Sequence, residues 1–446
     1  MTALFWFTRD LRLQDNPALN AAVTNGQGSV AAVYQFDSIA YEALEGIRQH
    51  SLTESLRALS ASIGGGLNIV TDVVAAARVV AAKRVFATRL FDPEGKREQL
   101  RVGRALAELG IELFLLDSPY AVAPGTVQKP DGKPYRVYTP FYKAWSAIGW
   151  EEPHKLPAVD VSWVGVPTAI ALPQPTKEAP FAVQAGEAFA LRTFERFKNR
   201  ALDRYDELRN RADLSGTSHL SHALAFGEIH PRTLLAQLSD SSAHTIFAKE
   251  IAWREFYADV LWHNPHSLTN YYEPRFSKMR YDVGATAEAR LDAWKQGKTG
   301  YPMVDAGMRQ LLATGWMHNR VRMIVASFLV KDLHLEWQQG AAWFEANLSD
   351  FDPASNAHGW QWTAGCGTDA SPYYRVFNPV LQGLKFDPDG NYVRKYIPEL
   401  AHIRGKDVHT PWEAFNGYSG GYAERIVDHD AERHEALARL EEIKGL

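Results

Sequence analysis

The chain has 446 residues, 46% of them hydrophobic and 22% charged, with a formal net charge of −4. That suits two or three globular domains and excludes a disordered chain or one whose whole field advertises nucleic acid. Its single cysteine, Cys366, excludes a disulfide framework and any cysteine-built zinc or iron–sulfur site.

Over residues 1–120, short apolar runs alternate with helical patterns. Leu4–Thr8, Val30–Phe36, Leu67–Val70, Arg84–Thr88 and Ile111–Leu116 are rich in Val, Ile, Leu and Phe without polar alternation. That is the pattern of parallel strands buried on both faces. The N-terminal run reads as a strand broken by charge, too short and wrongly ordered for a signal peptide. Asn16-Pro17 predicts an N-cap with proline at the first helical position. Asp72 opens a predicted helix over Val73–Lys83, and Gly95–Leu109 predicts another that ends at Gly110. The alternation gives a doubly wound parallel sheet with right-handed crossovers. No GxGxxG follows the first strand and no P-loop occurs, so ordinary dinucleotide binding is not expected there.

Residues 121–186 read as a linker, with six prolines between 151 and 180. From 187 to 446 the patterns are helical almost throughout, which predicts one all-α domain. No apolar run reaches membrane-spanning length, and the fifteen histidines lack metal-ligand spacing. No metal and no membrane partner are expected, and a cytoplasmic location is.

Several segments of the helical half carry chemistry. Tyr205 and Arg209 sit i to i+4, upstream of Gly216-Thr217-Ser218-His219-Leu220-Ser221. Small hydroxyl residues before an apolar helix either cap it or present free N–H groups and hydroxyls to a phosphate. Glu250 and Trp253 share a helix face, where the ordinary account is a surface carboxylate above a half-buried ring. Gly315-Trp316-Met317-His318-Asn319-Arg320-Val321-Arg322-Met323 mixes indole, amide, guanidinium and thioether groups in one helical-looking stretch. Asn319, read as mid-helix, and Arg322 are costly to bury unless paired. Met323, one turn from Asn319, packs well in any core. Asp350 and Asp352 lie in an acid-rich turn before Asn356, where helix capping is the usual role. Thirteen tryptophans exceed ordinary usage, although a Trp-rich core accounts for any one of them. Two basic stretches, 192–211 and 274–280, could serve phosphates or merely face solvent.

With Phe7-Thr8-Arg9-Asp10-Leu11-Arg12 at the start, these segments resemble the DNA photolyase and cryptochrome family over nearly the whole chain, most closely the class I cyclobutane pyrimidine dimer photolyases. The resemblance implies an N-terminal α/β antenna domain, a linker and a C-terminal helical FAD domain. It implies light-driven repair of cyclobutane pyrimidine dimers by an electron from reduced, photoexcited FAD, with the dimer flipped out of the duplex. FAD would be held by Tyr205, Arg209, Thr217, Ser218, His219, Leu220, Ser221, Trp316, Asn319, Arg322, Asp350, Asp352 and Asn356. Arg322 would pair with Asp350, and Asn356 would face flavin N5. Glu250, Trp253, Asn319 and Met323 would contact the dimer.

Trp360 and Trp337 match the first two members of the family's electron relay, with Tyr281 or another aromatic in third place. For the antenna pigment, Glu94-Gly95 stands where folate binders have Asn-Glu. Asp92-Pro93-Glu94-Gly95-Lys96 favours a deazaflavin over a reduced folate or an empty site. The partner implied is damaged DNA, bound by a monomer. The alternative is a cryptochrome-type light receptor. The lesion residues, and a chain that stops at Leu446 without a signalling tail, favour repair. A (6-4) photolyase is third, since the 316–320 run resembles the cyclobutane branch.

Overall fold

The computed structural model describes residues 2–369 and 374–444, so Met1 and Leu446 lie outside the described residues. Two compact units interleave along the chain: Met1–Asp203 with Ser218–Pro265, and Arg204–Thr217 with His266–Leu446.

The first unit is built on a parallel sheet of β1 (Ala3–Phe7), β2 (Ser29–Gln35), β3 (Leu67–Val70), β4 (Arg84–Thr88) and β5 (Glu112–Leu116), in the order β3-β2-β1-β4-β5. Leu4 and Trp6 face one apolar layer with Val33 and Val85. Phe5 and Phe7 face the other with Leu19 and Leu56. Burial on both faces is why these strands carry no polar alternation. Asn16, Asp72 and Asp92 cap the helices Pro17–Asn25, Val73–Val79 and Pro93–Glu108, each accepting a backbone N–H inside the first turn. The helix opened by Asp72 stops at Val79, short of the predicted Lys83, and Ala81 takes a left-handed φ of 53°.

Two elements lie within the predicted linker. Helix Tyr138–Ile148 buries Tyr138, Phe141 and Trp145, one face at helical spacing. A short β6 (Ser162–Trp163) pairs parallel with the start of β2, and Ile170 bridges Ile69. The proline-rich stretch is thus extended chain laid along the sheet edge.

Every regular element described after residue 187 is helical. The helices Glu187–Arg200 and Ser242–His263 belong to the first unit, so fold type and packing divide the chain on different grounds. The second unit packs Ala285–Gln296, Pro302–Thr314, Asn319–Lys331, Trp337–Asn347 and Pro353–Ala364 around one core that includes Trp294, Phe328, Trp337 and Trp360. Among the described residues no helix is long and apolar enough to cross a membrane.

Candidate active site

The singled-out residues divide between the units. In the second unit, Gly315 closes helix Pro302–Thr314 with φ 59°, and Trp316–His318 run as an irregular link. His318 then caps helix Asn319–Lys331, its Nδ1 accepting the Arg320 N–H at 3.1 Å. Asn319 is therefore the first helical residue, and exposed, rather than mid-helix among apolar neighbours. The His318 cap starts a new helix where the sequence pattern reads as continuous. Met323 stays one turn below it, half-buried, with the Arg320 Nη1 at 3.6 Å from its sulfur. Arg320 also donates twice to Asn210 Oδ1, at 3.2 and 2.7 Å. Arg320, which the motifs did not single out, thus steers Met323 and ties its helix to the segment after Tyr205.

Arg322 Nη2 donates to Asp350 Oδ2 at 2.7 Å, and its Nε to the Met317 carbonyl at 2.8 Å. The Asp350 side chain is wholly buried while that of Arg322 is 24% exposed. Asp350 Oδ1 has no hydrogen-bond partner among the described residues. A buried carboxylate oxygen left so is expensive, and a donor on a bound group would satisfy it. Asp352 fills the capping role, Oδ1 accepting Ser355 N–H at 2.8 Å at the start of helix Pro353–Ala364. Asn356, in that helix, donates from Nδ2 to the Ala341 carbonyl at 3.1 Å. The Trp316 ring meets His318 edge-on at 6.3 Å. Tyr205 opens a four-residue helix, and the Arg209 guanidinium sits 5.7 Å from its ring centroid. Thr217 is half-buried in the following loop.

Trp360 and Trp337 are buried, and neither indole N–H has a hydrogen-bond partner among the described residues. Trp360 lies against Gly340, where an added Cβ would come 2.1 Å from its Cη2. Phe344 and Trp294 flank it at 5.0 and 6.1 Å. Trp337 meets Tyr271 edge-on at 6.3 Å, and Tyr271 stacks with Tyr281 at 6.4 Å. The Tyr271 hydroxyl donates to Glu336 Oε1 at 3.1 Å. Burial pushes both phenols well above their ordinary pKa. Tyr271 is a link the motifs did not supply.

In the first unit, Ser218–Leu220 precede helix Ser221–Phe226, and the hydroxyls do not cap it. Leu220 holds the N-cap position without a side-chain bond, and Ser218 Oγ reaches only Leu220 N, at 3.4 Å. His219 takes a left-handed φ of 53°, which turns the chain before the helix can receive a cap. Six residues carry little macrodipole, so an anion held here would rest on the hydroxyls and backbone N–H groups themselves.

Glu250 and Trp253 stand one turn apart on helix Ser242–His263, both half-buried. The Trp253 ring lies parallel on Tyr138, 3.7 Å between centroids and 8° between planes. The Tyr138 hydroxyl donates to the Lys249 carbonyl at 2.7 Å. Next to it, buried Glu255 accepts the Trp145 indole N–H at 2.6 Å and the backbone N–H groups of Ala121 and Val122. Burial raises its pKa against those donors, and the carboxylate staples the 121–145 stretch to the helix.

Some charges of the basic stretches are paired. Lys198 pairs with Glu195, Arg204 with Glu207 and Arg211 with Asp213. Arg280 meets both Glu435 and Glu442. The Asp92–Lys96 run is also committed locally: Asp92 caps its helix at Gly95 N, and Lys96 lies 4.2 Å above the Trp262 ring.

The DNA photolyase family model matches residues 3–160, and that for the FAD binding domain of DNA photolyase matches residues 247–442. A deoxyribodipyrimidine photo-lyase of Agrobacterium fabrum is 39% identical, covering 99% of this chain and 98% of that protein. A bacterial class III photolyase structure from Agrobacterium tumefaciens superposes with a TM-score of 0.90 at 37% identity, covering 100% of this chain and 98% of that one. A cryptochrome from Synechocystis sp. PCC6803 gives 0.86 at 27%, covering 98% of each chain. The motifs pointed to the class I branch, and the Agrobacterium structure belongs to class III.

Proposed function

The chain belongs to the DNA photolyase family, and on that premise we propose that it is a deoxyribodipyrimidine photo-lyase that splits cyclobutane pyrimidine dimers in DNA under light, acting as a monomer. The observation that carries the reading is Asp350, a buried carboxylate with Arg322 on one oxygen and an unsatisfied acceptor on the other. That donor set fits a flavin ring, whose N–H would supply the missing bond and whose reduced anion the Arg322 charge would stabilise. When bound, reduced FAD supplies the single photoexcited electron that opens the dimer and takes it back afterwards.

The chain's own residues bind, orient and exclude water. Asp350, Asp352, Asn356, Asn319 and Trp316 take the ring and ribityl end. Tyr205, Arg209, Thr217, Ser218, His219, Leu220 and Ser221 take the phosphate end. Glu250 bonds the pyrimidine edge, Trp253 stacks on it, and Met323 packs against it beside Asn319. A deazaflavin at the Asp92–Lys96 run, where Asp92 caps its helix and Lys96 lies over Trp262, is the antenna reading, and no step is routed through it.

Purified protein should be coloured and release FAD on denaturation. It should restore dimer-containing DNA in light and not in the dark. Glu250→Ala and Trp253→Ala should weaken dimer binding and repair with flavin content intact, the lost stacking alone costing about 1–3 kcal/mol. Colourless folded protein that takes up no flavin would overturn the reading. Equal affinity for damaged and undamaged duplex would favour a light receptor.

A further inference from the structure

We propose that Tyr138, Tyr142, Trp145 and Trp150 form an electron path that keeps the Trp253 indole reduced, draining a one-electron oxidation of Trp253 to the protein surface, where a soluble reductant of the ascorbate class refills it. Resting on the repair reading, in which Trp253 stacks on the lesion, it adds a protective activity that uses neither the flavin nor the Trp360–Trp337 pair.

Sequence spacing builds the path. Tyr138, Tyr142 and Trp145 fall at i, i+4 and i+7 of helix Tyr138–Ile148, so they share one face. Gly149 ends that helix with a φ of 71°, and the chain turns so that Trp150 lies against Trp145. Centroids stand 3.7 Å apart from Trp253 to Tyr138, 6.0 Å from Tyr138 to Tyr142, 6.0 Å from Tyr142 to Trp145 and 4.8 Å from Trp145 to Trp150. No successive pair is inclined by more than 36°. An apolar core is the ordinary account of packed rings. This run instead begins at half-buried Trp253 and ends at Trp150, 37% exposed, with Trp145 buried between them.

The polar partners give the path a direction. An oxidised indole is a strong N–H acid, and the Trp145 N–H points at Glu255 Oε2, 2.6 Å away. The Ala121 and Val122 N–H groups that also meet this carboxylate are donors, so it acts purely as an acceptor and is free to take a proton. Burial raises its pKa, which makes it a better base. Tyr138 and Tyr142 pass charge on and do not hold it. The Tyr138 hydroxyl donates to the Lys249 carbonyl, which takes up no proton. The Lys249 ammonium lies 5.4 Å from the Tyr142 ring centroid and opposes a positive charge there.

The electron count closes. A radical oxidant takes one electron from Trp253. Electrons then move ring by ring toward Trp253, which leaves Trp145 one electron short with its proton on Glu255. Ascorbate gives one electron through Trp150 and becomes its own radical, and the proton returns from Glu255 to the Trp145 nitrogen.

The test exposes the flavin-loaded protein, in the dark, to carbonate radicals made by radiolysis of bicarbonate solution. Oxidised tryptophan is then measured residue by residue by peptide mass spectrometry, with and without ascorbate. Phenylalanine keeps a ring in place and gives up no electron to such oxidants, so Tyr142→Phe and Trp150→Phe should match wild type in melting and flavin content. Wild type should spare Trp253 and collect product at Trp150. Tyr142→Phe should strand the oxidation at Trp253, whose product rises several-fold. Trp150→Phe should strand it at Trp145, a buried ring that the oxidant does not reach directly. Ascorbate scavenges radicals equally in every sample, so its extra protection of Trp145 in wild type over Trp150→Phe isolates the electron that enters at Trp150.

Unchanged product at Trp253 in Tyr142→Phe overturns the path, and so does an intact Trp145 in Trp150→Phe. Oxidation of Trp253 should also abolish the preference for a duplex with one thymine dimer over its undamaged twin. Should that preference survive, the repair reading loses its platform, while the residue-by-residue map still judges the path.

Discussion

On the proposed reading, Asp350 and Arg322 hold the flavin ring of the second unit through one ion pair. Removing the guanidinium leaves a buried carboxylate with neither oxygen satisfied, a loss of about 3–5 kcal/mol for a fully buried pair and nearer the lower figure here, since Arg322 is partly exposed. Arg322→Ala should therefore lose flavin on gel filtration and melt earlier. Full flavin content with normal photoreduction would remove Arg322 from the site.

A second residue sets the acid limit of the first unit. The His230 ring donates from Nε2 to the Ser118 carbonyl at 2.9 Å and accepts the Arg232 N–H on Nδ1 at 3.1 Å, which fixes the neutral tautomer. Burial lowers its pKa to about 4. The unfolded chain, titrating near 6.5, then binds more protons than the folded one between pH 6.5 and 4. Stability must fall as pH falls through that window, by up to about 1.4 kcal/mol per pH unit. Asp15 beside it is held well below the carboxylate range by His230 and Arg232 against burial, and titrates outside the window. In urea melts at pH 7, 6 and 5, wild type should lose its lead over His230→Asn as pH falls. A constant gap would show that His230 is not the group that titrates.

At the scale of elements, helices Trp337–Asn347 and Pro353–Ala364 place Trp337 and Trp360 in one core, and Tyr271 and Tyr281 extend the run of rings from Trp337. An indole gives up an electron more readily than its aliphatic neighbours. Trp360→Phe should stop photoreduction of oxidised flavin, yet repair should survive once the flavin is reduced chemically, because in the proposed mechanism the repair electron passes between flavin and dimer without crossing Trp360. Tyr281→Phe should slow photoreduction. Tyr271→Phe should slow it at least as much, since Tyr271 lies between Trp337 and Tyr281 and its proton has an acceptor in Glu336. Flash illumination with and without a chemical reductant tests all three. Normal photoreduction in Trp360→Phe would refute the relay, and failed repair with pre-reduced flavin would make Trp360 structural. The same helix pair depends on Gly340. A methyl there meets the Trp360 ring, so Gly340→Ala should destabilise the unit by about 1–3 kcal/mol, read from thermal melts. An unchanged melt would mean the indole has room to move.

For the whole molecule, a net charge of −4 offers DNA no general attraction, so affinity for undamaged duplex should be weak and fall steeply with salt through a few local contacts. Binding that ignores salt would place the contacts on uncharged groups. The sequence alone determined the sheet, because strands buried on both faces have to be apolar wherever they sit, and Asn16 and Asp72 announce their helices through bonds to residues two or three places on. Family motifs, being local strings, were equally legible. Tertiary structure alone decided the rest. Asn319 begins a helix because His318 caps it. Ser218 caps nothing because His219 turns left-handed. Arg280 of the 274–280 stretch meets Glu435 and Glu442, acids far along the chain, and helix Tyr138–Ile148 found the ring partner for Tyr138 on another helix. Period and capping chemistry are written within a few residues, whereas which ring covers which, and which acid meets which base, is settled only when distant segments pack.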